Sequence, residues 1–239
     1  MIRTLWFELN LLVATGVIGS MVIVASIFRV RGDFYWWAAR SWARWLVWVS
    51  GCTVTVEGLD NVAMDRPQVF IANHVSHVDV IAIAANIPKR FRFVAKKELG
   101  RIPIFGTAWK VAGHISVDRG NRASAVASLA AAGRLIRDDN SSVVIFAEGT
   151  RSRTGELQPF KKGGFMLALH TGVEIVPVAI LGTRRILPKG GWRLRPGPIV
   201  VRFGAPIDTT HFDESTRDAL MERVRVAIEE LLQAPETGR

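Results

Sequence analysis

From Leu11 to Phe28 the chain runs through eighteen residues without a charged side chain. As a helix, that run extends about 27 Å, close to the hydrocarbon thickness of a bilayer. Its small residues Gly16, Gly19 and Ser20 are of the kind that line packed membrane helices. Only Arg3 and Glu8 carry charge before the run, whereas Arg29, Arg31, Arg40 and Arg44 follow it. That excess of arginine assigns everything after the run to the cytoplasmic face of a membrane. A cleaved signal peptide fits less well, because the apolar stretch is long, the region before it is poor in positive charge, and an arginine-rich segment is unlike an export junction.

The next segment, Phe34 to Ser50, reads FYWWAARSWARWLVWVS, and six of the eight tryptophans fall in the first fifty positions. Indoles interleaved with Arg40 and Arg44 describe a helix at the membrane interface, with rings at headgroup depth and arginines reaching phosphates. The alternative is a helix that packs its aromatics onto the rest of the protein. Joined by the polar link Arg29 to Asp33, the two helices either span the bilayer or dip into one leaflet as a hairpin. Residues 1–50 therefore read as a membrane-associated helix pair and residues 51–239 as a separate domain.

The chain as a whole is too apolar to be disordered, since 49% of its positions are hydrophobic. The lone cysteine, Cys52, excludes an internal disulfide framework and a cysteine-built zinc site. Short β-branched runs predict strands at Thr53–Glu57, Gln68–Ala72, Arg92–Ala95, His114–Val117, Val143–Ala147, Ile175–Leu181 and Ile199–Phe203. Helices are predicted near His77–Ala85, Ile104–Val111, Arg122–Arg137 and Gly163–Thr171, with a last amphipathic one from about Glu214 to Leu232. The alternation gives an α/β fold: a mixed, largely parallel sheet of about seven strands flanked by helices, preceded by the two N-terminal helices.

In such sheets, chemistry collects where strands end and helices begin. The first such junction is Asn73-His74-Val75-Ser76-His77-Val78-Asp79. With Ser76 as N-cap, Asp79 falls in the first helical turn and can turn back to accept the imidazole Nδ1–H of His74, leaving Nε2 free as a base. Ser76 and Asp79 also have capping-box spacing, and His74, His77 and Asp79 loosely suggest a metallohydrolase, without its spacing or further histidines.

A second junction runs from the strand at Val143 into Glu148-Gly149-Thr150-Arg151-Ser152-Arg153. Gly149 permits a sharp turn, and Arg151 offers a planar fork for a phosphate. Lys161 and Lys162 precede a helix N-terminus, and Gly113-His114-Ile115-Ser116-Val117-Asp118-Arg119 sets another arginine at a strand end. These basic strand ends are expected to converge on one cleft. A formal net charge of +10 suits an acidic partner. Lys89, Arg90, Arg92, Lys96, Lys97 and Arg101 are further candidates for a face turned to anionic lipid.

Four of these segments together resemble the glycerolipid acyltransferases, most closely the bacterial 1-acyl-sn-glycerol-3-phosphate acyltransferases. N-H-V-S-H-V-D matches their H-x4-D block, G-H-I-S-V-D-R their second, F-A-E-G-T-R-S-R their third and Val176-Pro177-Val178-Ala179-Ile180 their fourth. Ala147 stands where that family usually has proline, and Ser116 where it has a bulky apolar residue. The resemblance implies that His74, oriented by Asp79, deprotonates the 2-hydroxyl of a lysophospholipid, which attacks an acyl thioester directly. It assigns Arg151 and Arg119 to the acceptor phosphate, with Lys96 or Lys97 as a further contact, and has Glu148, Gly149 and Thr150 shape the acceptor site. It implies no metal or prosthetic group, with acyl-CoA or acyl-acyl carrier protein as donor substrate. It also implies a place on the cytoplasmic face of the bacterial inner membrane.

Other readings stay open at this point. The acceptor could be a lyso-ornithine lipid or lysophosphatidylglycerol, and a metal-dependent lipid hydrolase could use His74, His77 and Asp79. A nucleic-acid-binding protein would explain the charge but not the tryptophan-rich membrane segment, so no nucleic acid is expected as partner.

Overall fold

The β-branched runs do form strands, and the parallel pairing of most of them fixes where the strand ends gather. The computed structural model describes residues 1–30, 32–118, 120 and 122–235. Its strands are β1 (Thr53–Glu57), β2 (Val69–Ala72), β3 (Phe91–Lys96), β4 (Ile115–Val117), β5 (Ser142–Phe146), β6 (Ile175–Leu181) and β7 (Pro198–Phe203). They form one sheet in the order β1-β7-β6-β2-β5-β3-β4. All neighbours run parallel except β6 and β7. The C-terminal ends of β6, β2, β5, β3 and β4 thus share one edge.

Helices cover both faces: α1 (Ile2–Ile27), α2 (Phe34–Ser50), α3 (Val78–Asn86) and α4 (Phe105–Val111) on one, and α5 (Arg122–Asp139), α6 (Gly163–Thr171) and α8 (Arg217–Gln233) on the other. The short α7 (Thr183–Ile186) follows β6 directly and has no counterpart among the expected elements. The last helix starts at Arg217, later than the expected start near Glu214. Asp213 Oδ1 collects the N–H groups of Ser215 and Thr216 at 2.8 and 2.9 Å, which holds those residues in a turn.

Helix α1 is, among the described residues, the one helix long and apolar enough to cross a bilayer, with a mean hydropathy of 2.0. It does not stand away from the protein. Its buried residues Thr4, Phe7, Asn10, Ala14, Gly19, Val22 and Ala25 recur from the first turn to the last, so it docks along its whole length. At Gly19 a β-carbon would come within 2.7 Å of Ile104 Cγ2, so α4 approaches α1 more closely than a side chain there permits. Trp42 Nε1 of α2 donates to Thr15 Oγ1 of α1 at 3.1 Å. Phe7, Ala43, Leu46 and Val49 belong to the same core as Phe70, Ile83, Phe91 and Phe203.

The tryptophan-rich helix divides its rings between the core and the outside. Trp36 and Trp42 pack inward, while Trp37, Trp45 and Trp48 are exposed, the last to 68%. Arg40 does not reach outward: its Nε donates to the Ala85 carbonyl of α3 at 3.2 Å, and its guanidinium lies 5.2 Å from the Trp36 ring.

The basic face expected at residues 89–101 is also corrected. Lys89 is buried with Nζ donating to the carbonyls of Ala63 and Arg66, and burial lowers its pKa to about 8. Arg92 is buried as well, on the sheet face where the charge of Asp139 in α5 reaches it. Arg90 pairs with Asp33, and Lys97 with Asp118.

Candidate active site

Strand β2 stops at Ala72, and the Asn73 side chain extends the ladder to β6. Its Nδ2 donates to the Ile180 carbonyl at 3.0 Å and its Oδ1 accepts the Ile180 N–H at 2.7 Å. The main chain of His74 is then clamped from both sides by the turn after β5. Glu148 Oε1 accepts the His74 N–H at 2.7 Å, and the Ser152 N–H donates to the His74 carbonyl at 2.7 Å. The imidazole stacks on Phe146 with 4.1 Å between centroids.

His74 Nδ1 lies 2.8 Å from Asp79 Oδ2. That oxygen also accepts the N–H groups of Val75 at 2.7 Å and Ser76 at 2.8 Å. An oxygen receiving two backbone N–H groups is an acceptor, so Nδ1 carries the imidazole proton and Nε2 presents its lone pair. Among the described residues no protein group bonds Nε2. Asp79 is fully buried, and its other oxygen accepts the Thr183 hydroxyl from α7.

Ser76 is not the N-cap; His77 holds that position. The Ser76 hydroxyl, wholly buried, accepts the Val78 N–H at 3.1 Å and donates to the Leu187 carbonyl at 2.7 Å. Engaged in this way, it is no nucleophile.

The turn after β5 carries Glu148, Gly149, Thr150 and Arg151. Gly149 has φ +70°, a conformation that a β-carbon disfavours. Glu148 is buried and also accepts the Gln158 N–H at 3.2 Å. Burial raises its pKa, against the opposing pull of its two backbone donors. It therefore braces the main chain around His74. Arg151 is half-buried, and no carboxylate pairs with its guanidinium among the described residues. Partial desolvation lowers its pKa, while the negative charge of Asp79 works the other way.

Lys189, distant in sequence, joins this turn: its Nζ donates to the Arg151 carbonyl at 2.7 Å and to Thr150 Oγ1 at 3.2 Å. Lys96, at the end of β3, is exposed and near enough for its charge to act on His77. Desolvation first, then the charges of Arg151, His74 and Lys96, lower the pKa of His77. Of the two lysines left open by sequence, Lys97 pairs with Asp118, whereas the charge of Lys96 reaches His77. The charge of Lys162 acts on Asp218 of α8, while the Lys161 N–H donates to the Ala147 carbonyl at 2.7 Å, just before the turn that carries Glu148. Arg119 lies outside the described residues.

Beside the site, a cavity of about 100 Å³ opens between α1, α2, α3 and α4. Val22, Ala39, Trp42, Ala84, Phe93 and Trp109 contribute to its largely apolar lining. A row of rings leads to it from the imidazole: Phe146 stacks on His74 and then on Phe93, at 6.3 Å. His114, at the cavity wall, accepts the Phe93 N–H on Nδ1 at 3.1 Å. Burial, with the charge of Arg92, lowers its pKa to about 3, so it stays neutral near pH 7 and adds no charge to the cavity.

The arrangement can remove a proton from a hydroxyl at His74 Nε2, hold an anion beside Arg151 and bury an apolar chain. It does not form a cation site from His74, His77 and Asp79, because both Asp79 oxygens are already committed to protein donors. Among the described residues no three His, Cys, Asp or Glu side chains are placed to share a metal ion. Thr183 and Lys189 escaped the sequence reading. The one available signal was position, since Gly182-Thr183 follows β6 at the same sheet edge as the other motifs.

Residues 53–181 match the family model described as Acyltransferase. The 1-acyl-sn-glycerol-3-phosphate acyltransferase of Limnanthes douglasii is 35% identical over 215 residues, covering 90% of this chain and 74% of that protein. The Cocos nucifera enzyme of the same name is 38% identical over 76% of this chain, which spans only 58% of its length. The Haemophilus influenzae one is 35% identical over 63% of this chain and 62% of its own. In three dimensions, the crystal structure of the 1-acyl-sn-glycerophosphate (LPA) acyltransferase PlsC from Thermotoga maritima superposes with a TM-score of 0.82. It is 28% identical, over 99% of this chain and 97% of that one. The His74–Asp79 and Glu148–Arg151 segments lie within the matched residues, at the neighbouring ends of β2 and β5, and the chain belongs to the acyltransferase family that contains these enzymes.

Proposed function

We propose that the protein moves a fatty acyl group from an acyl thioester to the 2-hydroxyl of lysophosphatidic acid, giving phosphatidic acid at a membrane surface. The observation that carries this is the His74–Asp79 pair, with Nε2 unbonded and the Arg151 guanidinium in no ion pair among the described residues. His74 Nε2 takes the hydroxyl proton as the oxygen attacks the thioester carbonyl. The C–S bond then breaks, and the thiol of coenzyme A or acyl carrier protein leaves with the proton from His74. The buried Asp79 stabilises the imidazolium between those steps. The transfer uses no cofactor beyond its two substrates.

Arg151, with Lys189 and Lys96 adding positive potential, binds the acceptor phosphate; the resemblance of its motif assigns Arg119 to the same group. Arg151→Gln removes a charge-assisted contact, so the acceptor KM should rise about tenfold to hundredfold, with little change for the donor. An equal loss with a phosphate-free monoacylglycerol acceptor would make Arg151 structural instead.

The apolar cavity, whose volume of about 100 Å³ has room for only a few CH₂ groups, takes one stretch of the acyl chain being transferred. Ala39→Leu intrudes on that space and should shift donor preference to shorter chains, with long donors losing about fourfold in kcat/KM per excluded CH₂. An unchanged chain-length profile would place the acyl chain elsewhere.

Because α1 docks along its full length, its outer apolar face lies along the membrane rather than across it, so the helix pair dips into one leaflet. The arginines after Phe28 set that leaflet on the cytoplasmic side. The whole reading is tested by product analysis: purified protein is given labelled acyl thioester and a panel of lyso-acceptors. Labelled phosphatidic acid is expected to dominate. Preferential labelling of lyso-ornithine lipid or lysophosphatidylglycerol, or release of free fatty acid alone, would overturn it.

A further inference from the structure

One short segment after β6 holds the catalytic machinery from behind. Thr183 donates its hydroxyl to Asp79 Oδ1, the Leu187 carbonyl accepts the Ser76 hydroxyl, and Lys189 Nζ bonds Thr150 Oγ1 and the Arg151 carbonyl. Both Thr183 and Asp79 are fully buried. Asp79 Oδ2 receives its three donors from residues 74–76, so it is fixed by its own loop. Among the described residues Oδ1 has one donor, Thr183, which comes from an element 104 positions away in the chain.

We propose that Thr183 is a positioning residue for the acyl transfer: its hydroxyl orients the Asp79 carboxylate and, through it, the His74 imidazole. The warrant is geometric. A carboxylate held only at Oδ2 can rotate about its Cβ–Cγ bond and weaken its line to Nδ1, and a buried Oδ1 without a donor is costly. A hydrogen bond at Oδ1 sets the plane of the carboxylate so that Oδ2 meets Nδ1 with Nε2 turned to the acceptor hydroxyl. Thr183 is fully buried and its hydroxyl donates to the Asp79 carboxylate, so it acts through Asp79.

The inference rests on His74 and Asp79 being the catalytic pair, so His74→Ala is measured beside it. Thr183→Val keeps the volume and removes the donor. It should lower kcat about tenfold to hundredfold, the worth of a hydrogen bond to a charged group, with KM for donor and acceptor nearly unchanged. Thr183→Ser, which keeps the hydroxyl, should recover turnover to within about threefold of the parent. Wild-type kcat in Thr183→Val, or a Ser variant as impaired as the Val one, would overturn the role of Thr183. So would a rise in KM at constant kcat, which would make it a binding residue. Should Thr183→Val fail to fold, Thr183→Ala takes its place, and failure of both would assign the hydroxyl to stability rather than positioning. Normal turnover in His74→Ala would remove the reading of the whole site; an inactive His74→Ala with a normal Thr183→Val removes only this inference.

Discussion

Replacing His74 by Ala is expected to lower turnover about a hundredfold to ten-thousandfold, the usual contribution of a positioned general base. The structure explains why no neighbour can substitute. Ser76 is buried in two hydrogen bonds, and His77 has its pKa lowered by desolvation and by the charge of Arg151, which makes it a weaker base than an ordinary histidine. Asp79→Asn should be nearly as damaging. An amide at the Oδ2 position either presents N–H groups to Val75 and Ser76 or loses the charge that stabilises the imidazolium. The His74 side chain is 14% exposed and lies outside both main cores, so the Ala variant should fold. Steady-state rates of a variant with unchanged circular dichroism and melting check this, and near-normal turnover would contradict the mechanism.

The second large effect concerns the outer face of α1. Leu5, Trp6 and Leu12 are exposed to 63%, 52% and 71% and point away from the docked face. Burying each in lipid contributes about 1.5–3 kcal/mol, so Leu5→Gln, Trp6→Gln and Leu12→Gln together should weaken partition into vesicles about a thousandfold or more. Activity on bilayer-embedded acceptor should fall in parallel, while a short-chain soluble acceptor is still acylated. Point substitutions are the right instrument here. Deleting residues 1–50 would strip Phe7, Leu46 and Val49 from the core shared with Phe70 and Ile83, and loss of folding would mimic loss of anchoring. Vesicle sedimentation of the triple variant decides the matter, and unchanged binding would remove α1 as the membrane contact.

Much of the fold was legible because local chemistry and global architecture agree. β-branched runs bounded by glycine and polar residues became strands with ends shifted by a residue or two, as at β2, β5 and β7. The candidate site was legible where it is local: His74 and Asp79 flank one strand–helix junction five residues apart, close enough for the carboxylate to turn back to the imidazole. What sequence did not give is what pairing across the sheet decides. Thr183 meets Asp79, and Lys189 meets Arg151, only because β6 and β5 flank β2. Charge was the least reliable guide. Arg92 looked like surface charge, yet strand alternation turns Phe91 and Phe93 to one face and Arg92 to the other, toward Asp139. Arg40 and Lys89 likewise spend their donors on backbone carbonyls.

The central claim is that His74 activates the acceptor itself, so that the acyl group passes directly from thioester to lysophospholipid without residing on the protein. Rapid-mixing measurement of thiol release from the acyl donor tests it most directly, with and without lysophosphatidic acid. Without acceptor, no fast phase of thiol release is expected, and none of the protein should carry label from an acyl-labelled donor. With acceptor, thiol and phosphatidic acid should appear together at the same rate. A burst of thiol equivalent to the active sites in the absence of acceptor, matched by labelled protein, would contradict the account and require an acyl-enzyme.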